Sequence, residues 1–399
     1  MKHVFTIFCH FFYLGCISFG GPAAHLGYFQ RYFIEKHQWL DIPTYSRMVA
    51  LSQFLPGPAS SQVGFSLGYH RGGLCGAIAA FLGFTLPSFI LLYLLAVVGV
   101  HFADSAMFVG AIYGLKLLAV VIVADAVISM SKVFCQSKIT KLIAALSVAV
   151  MLSFGSLYTQ ILFLVFAGLL TLLLNKNTSD EKVTKENTEH NDEQQSQQQA
   201  LSKKLKLIPL ILFIGCLVVL PFIADRNVFI GLFNSFYQAG SFVFGGGHVV
   251  LPLLQQTIEP ALATDTFILG YASAQAVPGP MFTIATFLGA NILHDAPLLG
   301  ALIATSAIFL PGFLLILAFQ DIWHRIAFQP KVSGFVTGVN AAVVGLLAAA
   351  FYQPIALNAI YSVIDVVWVI GGFVLLKFYR LPILALVATF IAIGLLMTL

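Results

Sequence analysis

Two Pro-Gly-Pro triplets inside hydrophobic runs are the residues of this sequence with the clearest chemical consequence. They are Pro56-Gly57-Pro58 and Pro278-Gly279-Pro280. Each proline removes a backbone N–H donor, and the glycine between them allows a sharp change of direction, so a continuous helix through either triplet is not expected. Irregular backbone at membrane depth is tolerated where protein buries it or a water-filled cavity borders it. The two breaks therefore predict one central polar site.

The residues after Pro58 suit a negatively charged guest. Proline is favoured at the first position of a helix, and Ser60, Ser61 and Gln62 follow it here. A helix that begins at this point presents free amide groups, two hydroxyls and a side-chain amide, which together favour an oxyanion. The residues after Pro280 are much less polar, so anion binding is expected to depend mainly on the first triplet.

The alternative interpretation of the triplets is that both are packing kinks without a ligand. Proline and glycine are common in membrane helices, so a single triplet would not decide the matter. However, the triplets occupy corresponding places in the two halves of the chain, and a glutamine, Gln53 or Gln275, precedes each of them. Both glutamines are therefore included among the expected substrate-binding residues.

Charged residues provide further candidates for this site. Lys116 lies in the middle of an apolar run, where an ammonium group is costly unless it faces the bundle interior or a water-filled cavity, so it is expected to bind the anion. Arg31 and Arg71 could attract a dianion through paired hydrogen bonds, or could be interfacial anchors. Asp125 lies on the opposite face of the helix from Lys116, and is a candidate for coupling or simply an interfacial residue.

Glycine clusters end the first hydrophobic run of each half. They could break a helix or allow close packing of small residues. The expected helix-break positions are Gly20 and Gly21 in the first half and Gly245, Gly246 and Gly247 in the second. His25 and His248, close to these clusters, are interpreted as satisfied polar residues, since no pattern around them indicates a metal. The five cysteines are scattered and form no metal motif.

The composition places these residues in a membrane. The chain has 399 residues, of which 59% are hydrophobic and only 9% are charged. A spanning helix needs about 20 apolar residues, and the sequence supplies enough runs for about twelve spans. The run over residues 142–174 is too long for one span, so a break is predicted at Ser153-Phe154-Gly155-Ser156. The predicted fold is an all-α, polytopic transmembrane helix bundle.

An internal repeat organises the chain. The Pro-Gly-Pro triplets align, Leu67-Gly68 aligns with Leu288-Gly289, Gly76-Ala77 with Gly300-Ala301, and Leu86-Pro87 with Leu310-Pro311. Four anchors in one order indicate a duplication. The predicted units are a membrane repeat over 1–174, a disordered cytoplasmic linker over 175–206, a connecting transmembrane helix over 207–224 and a second membrane repeat over 225–399.

The basic loops predict the orientation. Most lie on one side if the N-terminus is cytoplasmic and each segment crosses once, with Arg31, Lys36 and Arg47 as exceptions. Six segments in each repeat, plus the single connecting helix, place the two repeats in opposite orientations. The sequence thus predicts inverted-topology repeats, in a multi-pass protein of the inner (plasma) membrane, with the linker in the cytoplasm.

An ordered set of motifs across both halves resembles the chromate ion transporter family. The motifs are Phe19-Gly20-Gly21-Pro22, Trp39-Leu40, Gln53-Phe54-Leu55-Pro56-Gly57-Pro58, Arg71-Gly72, Phe84-Thr85-Leu86-Pro87-Ser88, Phe244-Gly245-Gly246-Gly247 and Gln275-Ala276-Val277-Pro278-Gly279-Pro280. The resemblance implies the two-domain form of the family, antiparallel halves, and export of chromate driven by the membrane potential or a proton gradient, which confers chromate resistance.

Several alternatives stay open at this point. The residues do not distinguish chromate from sulfate, export from uptake or exchange, or a carrier from a passive anion channel. No nucleophile, metal cluster or phosphate loop indicates an enzyme or a cofactor. The expected partners are the dianion and the lipid bilayer, without nucleic acid. The sequence leaves open whether two copies form a homodimer.

Overall fold

The structure is a computed structural model that describes residues 2–19, 21–99, 105–154, 156–174, 205–244, 250–258, 261–323 and 330–398. Within these ranges the chain is helical and contains no β-strand, which confirms the all-α prediction. Gly20, Gly245, Gly246, Gly247 and nearly all of the linker over 175–206 lie outside the described residues. The predictions placed on them stay predictions.

Helices of the first half follow the predicted hydrophobic runs. A π-helical segment, Gln30–Lys36, continues helix α2 (Gly21–Phe29), and its two adjacent buried residues, Phe33 and Ile34, lie between exposed charged ones. The side chain of Asp41 accepts a hydrogen bond from Thr44 N and so caps helix α3 (Ile42–Phe54). The helices are α1 (Lys2–Ile17), α2 (Gly21–Phe29), α3 (Ile42–Phe54), α4 (Ala59–Gly99), α5 (Ala106–Phe134), α6 (Lys138–Ser153) and α7 (Leu157–Leu174).

The described part of the second half repeats this order after one additional helix. That helix, α8 (Leu207–Ile223), occupies the position of the predicted connecting span. The 3₁₀ turn Met281–Thr283 leads into α12, and a π-helical segment, Phe351–Ala356, extends α14. The remaining helices are α9 (Val228–Ser241), α10 (Val250–Ile258), α11 (Thr264–Ala276), α12 (Ile284–Ile292), α13 (Pro297–Phe319), α14 (Pro330–Ala350), α15 (Val363–Lys377) and α16 (Ile383–Thr398).

Helix lengths and breaks agree with a membrane bundle. Within the described part of the chain, five helical segments are long and apolar enough to cross a bilayer, and shorter apolar helices accompany them. The break predicted at 153–156 is present, because α6 ends at Ser153 and α7 begins at Leu157. The protein is therefore an all-α, polytopic membrane protein. The five segments are Ala59–Gly99, Ala106–Phe134, Leu207–Arg226, Pro297–Phe319 and Gly334–Ala356.

A helical hairpin follows each Pro-Gly-Pro break. In the first half the turn lies inside α4, where Gly72 and Gly73 leave the helical conformation. In the second half the turn separates α12 from α13. The aligned glycines are the contact points between the two arms: a Cβ at Gly68 would lie 2.4 Å from Gly76 O, and a Cβ at Gly289 would lie 2.4 Å from Gly300 O. Two of the sequence anchors are thus positions where only glycine lets two helices approach.

This packing predicts the effect of adding one methyl group. Gly68→Ala should destabilise the purified protein by about 1–3 kcal/mol, because the new Cβ would overlap a backbone oxygen that cannot move independently. The change would be measured as a lower apparent melting temperature in detergent. Gly215→Ala in α8 is the matched control, since nothing lies within 4 Å of that position. Equal melting temperatures for the two variants would contradict this description of the hairpin.

Candidate functional site

The two Pro-Gly-Pro breaks are joined to the opposite repeat by a reciprocal pair of backbone hydrogen bonds. Gly57 N donates to Val243 O at 2.7 Å, and Gly279 N donates to Ser18 O at 2.8 Å. Gly57 and Gly279 are equivalent positions of the repeat, and so are Ser18 and Val243. Each repeat therefore makes the equivalent contact with its neighbour, as expected of a pseudo-twofold arrangement.

Side-chain packing around the breaks follows the same reciprocity. A Cβ at Gly57 would lie 2.9 Å from Gly312 Cα, and a Cβ at Gly279 would lie 2.9 Å from Ser88 Oγ. Gly312 and Ser88 each follow the aligned Leu-Pro pair, so they too are equivalent positions. Both central glycines have positive φ angles, +125° and +105° respectively, which strongly favours glycine there. Each break thus packs against a proline-containing helix of the other repeat.

The helix after the first break begins in a buried polar environment. The first regular helical bond is from Gln62 N to Pro58 O, at 2.9 Å. The amides of Ala59, Ser60 and Ser61 precede that bond and belong to the first turn, whose N–H groups lack partners within a helix. Ser60 and Ser61 are both buried. This helix N-terminus thus places amide donors and two hydroxyls together away from the surface.

His25 completes this polar environment. Its Nδ1 lies 3.3 Å from the Ser60 Oγ, and its ring makes an edge contact with Phe84, with 5.3 Å between the ring centroids. The imidazole is almost entirely buried, yet its Nε2 has no hydrogen-bond partner among the described residues. Nδ1 therefore has the partner expected of a satisfied histidine, whereas Nε2 does not. The contact with Ser60 places His25 beside the start of α4.

Three of the ten buried side-chain polar atoms without partners among the described residues belong to this region. They are Ser18 Oγ, Ser61 Oγ and His25 Nε2. A buried polar atom that lacks a hydrogen bond costs about 1–3 kcal/mol, so several of them together indicate a place prepared for a polar guest. We call the residues Ala59–Ser61 together with Ser18 and His25 the cradle. The Gly279 break borders it through Ser18 and through Phe84.

Gln62 has a different position from the one expected of a ligand. Its Nε2 donates to Pro56 O at 2.8 Å and lies 3.3 Å from Gly312 O. Two carbonyl oxygens thus occupy its donor group, and the side chain ties the first break to α13. Its Oε1 is buried without a partner among the described residues, and an acceptor oxygen does not suit an anion. The structure therefore supports a role for Gln62 in holding the break.

The residues that flank the breaks differ between the repeats. Gln53 lies on the exposed side of α3, whereas Gln275 is buried at the end of α11, within 3.4 Å of Met281 Sδ. The second break continues into buried apolar residues, and Thr283 Oγ1 donates back to Pro280 O at 2.6 Å. The second break is therefore followed by mostly apolar side chains. The described geometry thus agrees with the expectation that the first repeat carries most of the polar groups.

The structure does not bring the two candidate arginines to the cradle. Arg31 is exposed on the π-helical segment after α2. Arg71 is exposed at the far end of the first arm of α4, where its guanidinium lies 5.5 Å from the ring centroid of Trp39. Eleven residues separate it from Ser60, which is about 16 Å along a helix. Both arginines belong to the edge of the bundle.

Lys116 and Asp125 each form an ion pair with the second repeat. Lys116 Nζ lies 2.6 Å from Asp265 Oδ1, and Lys377 Nζ lies 2.6 Å from Asp125 Oδ1. Lys116 and Asp125 do not pair with each other, as their positions on opposite faces of α5 predicted. Asp265 lies at the opposite end of α11 from the second break, so the Lys116 ammonium is not part of the cradle. Within the described residues no group of His, Cys, Asp and Glu could hold a metal ion.

Broken helices from two related halves that meet at a buried polar site define the class of this protein as a polytopic membrane transporter. The chain belongs to the chromate transporter family. The family model described as "Chromate transporter" matches residues 5–172 and 230–396, so it covers both repeats. No solved structure matches the chain significantly.

Similar proteins match over nearly the full chain. A chromate transport protein of Cupriavidus metallidurans is 28% identical over 396 residues, covering 97% of this chain and 91% of that protein. An uncharacterized transporter of Methanocaldococcus jannaschii is 25% identical over 395 residues, or 96% and 92% of the two chains. A chromate transport protein of Pseudomonas aeruginosa is 26% identical over 352 residues, or 86% and 79%.

The geometry of the second break gives a testable expectation. Gly279→Ala should destabilise the region where the repeats meet by about 1–3 kcal/mol, since its φ angle of +105° is unfavourable for a residue with a Cβ. Hydrogen–deuterium exchange should then rise at the break and at the end of α1. The control is Gly27→Ala in α2, a position with nothing within 4 Å. Unchanged exchange in the Gly279 variant would argue against the reciprocal hydrogen bonds.

Proposed function

We propose that this protein exports chromate across the plasma membrane and that the cradle binds the dianion during transport. The observation that carries the proposal is the cluster of buried donors at the start of α4. Amides at a helix N-terminus favour negative charge, and the hydroxyl of Ser61 adds a donor that lacks a partner among the described residues. Names of similar proteins supply the choice of chromate among tetrahedral oxyanions.

The cradle binds charge without a fixed cation. The Lys116 ammonium is paired elsewhere, and the arginines lie at the edge, so the donors in the cradle are neutral amides and hydroxyls, with the imidazole of His25 beside them. A neutral site suits a carrier because binding must be strong enough to select the anion and weak enough to release it. His25 Nε2 can donate to the anion when it carries a proton.

The alternating access that transport requires follows from the pseudo-twofold arrangement. In our proposal the two repeats insert in opposite orientations, as the basic loops predict, with the N-terminus in the cytoplasm. Rocking of one repeat on the other would open the cradle to each side in turn. The reciprocal bonds at Gly57 and Gly279 lie at this interface and would act as the pivot.

Membrane potential is sufficient to drive export. Moving one charge across 100 mV is worth about 2.3 kcal/mol, so a dianion that leaves a cell with a negative interior gains about 4.6 kcal/mol. A proton gradient is the other proposed source of energy. Export with either source would give the cell resistance to chromate.

Flux of labelled chromate in oriented membrane vesicles tests this function. Inside-out vesicles should accumulate chromate when the interior is made positive, with saturation and counterflow. Imposing a proton gradient separately shows whether protons contribute. A preference for sulfate over chromate would identify a sulfate transporter instead. Flux that neither saturates nor shows counterflow would identify a passive channel and overturn the carrier proposal.

A single hydroxyl tests the position of the cradle. Ser61→Ala should raise the KM for chromate about tenfold, the effect of removing one hydrogen bond to a charged ligand. Ser66→Ala is the matched control, because Ser66 is also buried on α4 but lies about 7.5 Å further along the helix. Both variants should be present in the membrane at wild-type levels. Equal KM values for the two would show that the anion binds elsewhere.

A further inference from the structure

A cavity of about 350 Å³ lies apart from the cradle. It is bordered by the ends of α4, α5, α11 and α12, and its walls are mostly apolar. Asp265, at the start of α11, contributes to it, and the length of α11, about 18 Å, separates that residue from the second break. The cavity is therefore distinct from the cradle. Its apolar walls include Leu95, Phe108, Ile112, Leu269 and Phe287.

An ion pair between the two repeats lies in this cavity. The side chain of Lys116 is 10% exposed and that of Asp265 is 66% exposed, with 2.6 Å between Nζ and Oδ1. The cation is therefore held in the protein, whereas most of the Asp265 side chain is exposed at the protein surface. A buried ammonium needs a negative partner, but nothing in the geometry requires that partner to be Asp265. Any anion that enters the cavity could take its place.

The cost of releasing the Asp265 carboxylate is small when another anion takes its place beside Lys116. An exposed carboxylate gains little from pairing because water stabilises it after separation, and the buried ammonium stays paired with the incoming anion. Asp265 also stays in the first turn of α11, where the helix dipole stabilises a carboxylate without the lysine. By contrast, the Lys116 side chain is only 10% exposed and lies among the residues that α5 packs against. The asymmetry in exposure thus makes the carboxylate the exchangeable member of the pair.

We propose that this cavity is a vestibule in which an oxyanion displaces Asp265 from Lys116 before it passes to or from the cradle. The inference rests on the proposed function, because it assumes that oxyanions are the solutes that enter. Asp265 acts as a placeholder that keeps Lys116 neutralised when the vestibule holds no anion. It also opposes weakly binding anions, because each must compete with a tethered carboxylate. The vestibule therefore contributes selectivity for dianions.

Equilibrium binding of labelled chromate to the purified full-length protein tests the vestibule independently of transport. Asp265→Asn removes the competitor and should tighten the apparent Kd by up to about fivefold, the upper end of what an exposed carboxylate contributes to such a pair. In a Lys116→Gln background the same change should have no effect, because there is no cation to release. The double variant, Asp265→Asn with Lys116→Gln, is uncharged at both positions. It therefore has no unpaired buried charge that could cause misfolding. The effect of Asp265→Asn should persist in a Ser61→Ala background.

A second ion pair provides the matched control. Lys377 and Asp125 have the same 2.6 Å distance and also join the two repeats, but neither borders the cavity. Asp125→Asn should therefore leave chromate affinity unchanged. Two results would overturn the vestibule alone. In the first, Asp265→Asn leaves the wild-type Kd for chromate unchanged; in the second, it changes the Kd equally with and without Lys116→Gln. Failure of the wild-type protein to bind either chromate or sulfate would instead count against the proposed function.

Discussion

The structure depends on one constraint: backbone N–H and C=O groups released from a helix inside a membrane must find partners in the protein. The Pro-Gly-Pro breaks create such groups in both repeats. The structure pairs Gly57 N with Val243 O and Gly279 N with Ser18 O, so each repeat satisfies the break of the other. The interface between repeats therefore coincides with the broken helices. The amides of the first turn of α4 remain for a guest, and the position of the cradle follows from this pairing.

The unequal distribution of polar groups follows from the same arrangement. Two equivalent breaks provide the pseudo-twofold framework, but only the first continues into serines, and the second continues into Met281, Phe282 and Thr283. We therefore propose one anion-binding cradle rather than two. Charged residues lie outside it, where Lys116 and Asp125 are neutralised by partners in the second repeat. We therefore propose that the neutral donors of the cradle bind the dianion. The exchangeable Lys116–Asp265 ion pair provides selectivity before the dianion reaches the cradle.

Much of this fold could be predicted from local rules. Hydrophobic runs indicated the helices, and the excessive length of residues 142–174 indicated the break between α6 and α7. The aligned glycines indicated the duplication, but their role as contacts of the helical hairpins is visible only in the structure. The site was harder to predict. Gln62 looked like a ligand because it follows two serines, but its orientation is set by Gly312 in the distant α13. Likewise the partner of Lys116 is Asp265, and the link between His25 and Ser60 joins separate helices. Such pairings depend on tertiary packing. The only local indication that His25 lies near the cradle was its place beside a glycine cluster.

The central claim is that the dianion binds where the two breaks meet. Crystals of the protein grown with chromate and measured at the chromium absorption edge would locate the metal directly from its anomalous scattering. Our account predicts a chromium peak within hydrogen-bonding reach of the first-turn amides of α4 and of the Ser61 hydroxyl, beside His25. A peak confined to the vestibule or to the surface loops, with the cradle unoccupied at saturating chromate, would contradict it.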